Sequence, residues 1–81
     1  MTDLLLHRVN DNVHAVLTAR GEHVGNLKRI GALWKFKAIG YDAAGAVEPG
    51  GGPLTERHNL VVDLPSADAL NLAMAAASPP L

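Results

Sequence analysis

Eighty-one residues carrying a net charge of −1 and a pI near 6.4 make one small domain with no global pull toward nucleic acid or acidic membranes. Any such binding has to come from a local patch. The absence of cysteine excludes disulfides and thiolate metal sites and fits a reducing compartment.

The chain opens as MTDLLLHRV, with an acid ahead of a run of only three leucines. A secretory leader needs a basic start and a longer apolar region, so none is expected here. No apolar run approaches the roughly 20 residues that span a bilayer, and a cytoplasmic location without membrane association is the expectation.

Leu4–Val9 suits a first strand, ended by the turn-forming run Asn10-Asp11-Asn12. Val13–Ala19 alternates Val13, Ala15 and Leu17 against His14, Val16 and Thr18. Arg20-Gly21 turns the chain into Glu22–Ile30, where Gly25 marks a bulge or a place where something packs closely on the backbone. Gly31-Ala32 has the order of a type II′ hairpin turn. It leads to Leu33–Tyr41, LWKFKAIGY, which holds the only Trp, Phe and Tyr. Trp34, Phe36 and Ala38 alternate with Lys35, Lys37 and Ile39, the period of a strand. Aromatic rings bury on the order of 150–250 Å² each, so this is the expected central strand.

Asp42–Gly45 reads as a turn before a short strand at Ala46–Glu48. Residues 49–58 then form a Gly/Pro-rich internal loop, PGGGPLTERH, long for so small a domain. Asn59–Leu64 returns as a strand, stopped by Pro65. Ser66 is a good N-cap for a helix over Ala67–Ala77, with Leu70, Ala73, Met74 and Ala77 on one stripe and Asp68 in the first turn. The sequence therefore predicts one α+β domain over residues 1–78 with a frayed tail at 79–81. Its sheet is an antiparallel meander of five to six strands, open or strongly curved and barrel-like, with one C-terminal helix on one face.

The turns set a register. A two-residue loop at Arg20-Gly21 puts Leu17 opposite Val24, Ala15 opposite Asn26 and Val13 opposite Lys28. A second at Gly31-Ala32 puts Leu27 opposite Phe36, Lys28 opposite Lys35 and Val24 opposite Ile39. A three-residue first loop sets Leu5 beside Leu17 and His7 beside Ala15. The face with Trp34, Phe36 and Ala38 then gathers Leu27, Val16 and Leu6, and takes the helix.

The other face carries an apolar row of Leu5, Leu17, Val24 and Ile39 with Tyr41 at its end. Since one helix cannot cover both faces, this row is a candidate surface for a protein partner or a second copy in a homodimer. A non-catalytic interaction module is the leading expectation. Beside the row, Lys28, Lys35 and Lys37 form a basic cluster, and with Tyr41 as a stacking ring they suit an oligonucleotide. Lysines on an open sheet face also serve simply to keep it soluble and its edges unpaired. Arg29 belongs to the opposite face.

A third candidate is a small anionic ligand on the Gly50–Asn59 loop, with Thr55, Arg57, His58 and Asn59 as donors. The loop lacks the Lys-Ser/Thr and following helix of a phosphate-binding P-loop, and GGG between prolines is also the composition of a flexible connector. His7, His14, His23 and His58 show no metal-ligand spacing, and neither metal nor cofactor is expected. No catalytic residue is singled out: Glu56 could orient His58, but nothing supplies a nucleophile.

Overall fold

In the computed structural model, which describes residues 3–76, the aromatic segment is the hub. Four strands follow one another as hairpins: β1 (Leu5–Asn10), β2 (Val13–Leu17), β3 (His23–Ile30) and β4 (Leu33–Tyr41). Beyond β4 lie β5 (Val47–Pro49) and β6 (Val61–Val62), both antiparallel to it. A single helix, α1 (Ala67–Ala76), completes an α+β fold. The six-stranded sheet is open, not closed into a barrel: its path runs β1-β2-β3-β4-β5, with β6 also on β4. The expected Ala77 helix end and the 79–81 tail lie outside the described residues.

Phe36, Leu27, Val16, Leu70 and Met74 are wholly buried, and Trp34, Ala38, Val24, Val62 and Leu4 complete the core cluster. The helix docks on the expected face through Leu70 and Met74, with Ala73 partly buried. Full burial of two such side chains stabilises by about 3–6 kcal/mol together. Ser66 starts the helix as expected, its Oγ accepting the Ala69 N–H at 3.0 Å. Asn71 reaches back to the N-terminal end of the sheet: Oδ1 accepts the Leu4 N–H (2.8 Å) and Nδ2 donates to the Leu4 carbonyl (3.0 Å). The carboxamide thus takes the place of a neighbouring strand at the start of β1.

Most of the expected register is observed, including Leu5 with Leu17, His7 with Ala15, Ala15 with Asn26, Leu27 with Phe36 and Lys28 with Lys35. Three details differ: Asn10 pairs with Val13 after a register shift that follows Arg8, so the first loop is the two residues Asp11-Asn12; the β3–β4 ladder ends at Gly25–Ala38 and does not include Val24–Ile39; and the Leu17 pairing shifts. Leu17 lies opposite His23, not Val24, because β3 bulges where it leaves the Val16–Gly25 pair. The cause is local: the Thr18 N–H donates to the Glu22 carbonyl and Thr18 Oγ1 takes the Glu22 N–H, so the turn closes one residue earlier than a two-residue loop at Arg20-Gly21 would. Gly25 beside this bulge is also the site of close packing. A Cβ there would stand 2.5 Å from two Phe36 ring carbons. Gly31, with φ +63°, provides the positive φ that the first position of the next turn requires.

The segment from β5 to β6 differs more from expectation. Its second strand is only Val61–Val62, and the 49–58 segment is not a slack connector. Both flanks pair with the same edge of β4: Pro49 with Ile39 on one side, Val61 with Lys35 on the other. The intervening backbone stays on that edge: the Gly50 N–H donates to the Ala38 carbonyl (2.7 Å), the Asn59 N–H to the Phe36 carbonyl (2.7 Å), and the Phe36 N–H to the Leu60 carbonyl (2.7 Å). This is one interrupted strand, from which the eight residues 51–58 loop out and return, with a 3₁₀ turn at Thr55–Arg57.

Candidate functional site

Strand alternation places Lys28, Lys35 and Lys37 on the sheet face opposite Trp34 and Phe36. Lys28 and Lys35 are directly paired across β3 and β4, so their Cα atoms lie roughly 4.5–5.5 Å apart. Lys37, paired with Asn26, follows along the same row, and its Nζ donates to Asn59 Oδ1 at 2.6 Å. Among the described residues no carboxylate lies within ion-pair distance of any of the three; the ion pairs present are Arg8–Asp11 and Arg57–Glu56, elsewhere. Like charges facing each other on a sheet are destabilising, and here no acid offsets them. Arg29 lies opposite Trp34 on the other face, and its Nε donates to the Gly31 carbonyl.

The same row continues through Ile39 to Tyr41, whose ring is half exposed. Tyr41 is held in place. Its hydroxyl is 3.2 Å from His23 Nδ1, and His23 Nε2 is 2.9 Å from Asn26 Oδ1. A neutral imidazole satisfies both contacts, donating from Nε2 to the Asn26 carbonyl oxygen and accepting the Tyr41 O–H at Nδ1. From the sequence, His23 is weighed only as a metal ligand and Asn26 only by its place opposite Ala15, and neither is set beside Tyr41. The register did carry a signal for them, since it sets residue 22 across from Tyr41 and His23 one step away. The bulge then turns His23 toward the ring.

The apolar row is divided by burial. Val24, 2% exposed, belongs to the core cluster with Leu27 and Phe36, and Ile39 is 7% exposed, whereas Leu5 is 49% and Tyr41 50% exposed and Leu17 is half-buried. The row is therefore not one continuous apolar surface. The loop candidates are brought close to one another, but their polar atoms hold the fold. Thr55 Oγ1 donates to the Gly50 carbonyl, His58 Nδ1 accepts the Ala38 N–H (3.1 Å), and Asn59 Oδ1 accepts from Lys37. The Arg57 side chain is 13% exposed and 4.0 Å from Glu56.

His58 has a role no spacing rule suggests. Gly50 has φ +79°, which turns its carbonyl toward Thr55 and away from β4. The Ala38 N–H loses the ladder acceptor it would have had, and the His58 imidazole takes that place. Accepting at Nδ1 requires the neutral tautomer with its proton on Nε2.

Two clefts flank these elements. One, about 450 Å³, lies between α1 and β6 and is walled by Leu33, Val61, Ala69, Leu72 and Ala73. Asp63 is the charged residue lining it. The other, about 370 Å³, lies where Tyr41, Ile39 and Gly40 meet Glu22, His23 and the loop residues Gly52 and Pro53. Among the described residues, no three His, Asp or Glu side chains converge in a metal-binding group, and no helix is long and apolar enough to cross a membrane. No protein-family model, curated protein or solved structure is detectably similar to this chain.

Proposed function

We propose that this chain is a non-catalytic binding module whose lysine face takes the phosphate backbone of a single-stranded oligonucleotide. The observation that carries it is the row of Lys28, Lys35 and Lys37, adjacent on one sheet face and without an acidic partner within ion-pair distance. Juxtaposed ammonium groups are unfavourable in the free protein and become favourable once phosphates lie between them. Tyr41 supports the same function, because a half-exposed ring fixed by His23 offers a prearranged surface for a base. From Lys35 to Tyr41 the strand covers roughly 20 Å at about 3.3 Å per residue, room for a short run of nucleotides. Burial of Val24 and Ile39 favours this basic half of the face over an apolar protein interface.

The test is fluorescence anisotropy with labelled oligouridine of about six nucleotides, over a range of salt concentrations. Three phosphates neutralised on a single strand give a slope of log Kobs against log salt near −2. The double variant Lys35→Gln, Lys37→Gln is expected to bind more weakly and to flatten that slope by about 1.4. Salt-independent binding, or equal affinity in the variant, overturns the proposal.

A further inference from the structure

The cleft at the Tyr41 end differs chemically from the row that leads to it. We propose that it is a pocket for one nucleobase of the bound strand, and that the base it selects is guanine. The proposal rests on the lysine face binding a single strand, and it adds the element of base selection.

Glu22 supplies the first argument. Its backbone is fixed on both sides by Thr18, through the Glu22 N–H to Thr18 Oγ1 (3.2 Å) and the Thr18 N–H to the Glu22 carbonyl (2.9 Å). Its carboxylate makes no hydrogen bond or ion pair among the described residues. Glu22 is exposed and lines the cleft, where its negative charge disfavours phosphate and favours a group that carries donors. The second argument is shape. Val24 and Ile39 give the cleft apolar lining, and Tyr41, anchored through His23 to Asn26, presents a ring of fixed orientation. Gly40 and Gly52 bring backbone close: a Cβ on Gly52 would lie 2.1 Å from the Ile39 carbonyl oxygen. At about 370 Å³ the space falls at the small end of ordinary ligand pockets, adequate for a base and its sugar.

Two adjacent carboxylate oxygens match two adjacent donors. On the open Watson–Crick edge of a single strand, guanine offers N1–H together with its exocyclic amino group. Adenine and cytosine offer one amino group beside an acceptor, and uracil one N–H between acceptors. Glu22 therefore favours guanine over the other three bases. The direction of the row places that base: Lys35, Lys37, Ile39 and Tyr41 share one face of β4, so a strand laid along the lysines and past the covered Ile39 reaches the cleft.

The experiment compares the same oligouridine with versions carrying one guanosine, or one inosine, which lacks the exocyclic amino group, at the position nearest Tyr41 (found by moving the substituted base along the strand). The guanosine version is expected to bind about tenfold more tightly than oligouridine, the lower range for one bidentate pair. Inosine should recover only a small part of that gain. In Glu22→Gln the affinity ratio of guanosine to uridine strands should fall toward one, and amide shifts at Glu22, His23 and Gly52 should lose their dependence on the base. Salt-dependent binding of every strand with a ratio near one in the wild-type protein overturns the guanine pocket and leaves the lysine face standing. No binding of any strand overturns both.

Discussion

Replacing His58 isolates the ring that stands in for a strand partner. In His58→Ala the Ala38 N–H, on a residue with no exposed surface, has no acceptor, and the half-buried ring beneath Gly50 is gone. Leaving such a donor unsatisfied costs about 1–3 kcal/mol. Against a total stability of roughly 4–12 kcal/mol for a domain of this length, a loss of about 2 kcal/mol lowers Tm by about 8–16 °C. Two further variants separate bond from bulk. His58→Phe keeps a ring but offers no acceptor, whereas His58→Asn puts a carbonyl oxygen close to where Nδ1 stood. Urea unfolding should rank them wild type, then Asn, then Phe, then Ala. Native-state hydrogen exchange at the Ala38 amide should accelerate in the Phe and Ala variants and stay slow in Asn. If His58→Phe matches the wild type in both stability and Ala38 protection, the imidazole is not completing the ladder and the interrupted-strand account fails.

Gly25→Ala should be the more damaging of two single-atom changes. The new Cβ meets Phe36 ring carbons at 2.5 Å and the Lys37 carbonyl oxygen at 2.7 Å, and Phe36 is fully enclosed, so a cost of about 2–3 kcal/mol is expected from the urea midpoint. By contrast, Gly45→Ala adds a methyl into open space at φ +85°, where only backbone strain of about 1 kcal/mol opposes it. Equal stabilities for the two would contradict the packing described for β3 on β4. Lys35→Gln should raise stability by about 0.2–1 kcal/mol by relieving the Lys28 pair, while weakening oligonucleotide binding. A destabilised Lys35→Gln would mean that the two ammonium groups do not oppose each other.

Much of this architecture follows from residues that act locally. The alternation of Trp34 to Tyr41 and the turn chemistry at Gly31 set β3 against β4, and with that pairing Lys28 necessarily met Lys35. Ser66 and the Leu70–Met74 spacing were enough to place the helix and its buried side. What escaped a sequence reading depends on backbone angles that no pattern encodes. The β3 bulge comes from hydrogen bonds around Thr18 rather than from any feature of Val24. The role of His58 depends on Gly50 adopting a positive φ and turning its carbonyl away, so an imidazole eight positions later becomes a ladder member. Residues such as Thr55, His58 and Asn59 look like ligand donors precisely where a loop needs polar groups to hold itself. The His23–Tyr41 contact joins positions 18 apart, and the direction of a side chain at a bulge decides it.

The Asn71–Leu4 contact bears on the order in which the chain organises itself. Successive hairpins from β1 to β4 join neighbours, whereas this pair closes a span of 67 positions. By loop-closure entropy such a span costs about 4 kcal/mol if nothing else has yet drawn its ends together. The hairpins should therefore assemble first, with the helix arriving last as a latch over a preformed sheet. Run backward, the same logic makes helix release the earliest opening of the native state. The start of β1 would then lose its surrogate neighbour and bare its backbone groups while β3 and β4 remain paired, making the strand farthest from the aromatic hub the one through which the molecule first comes apart.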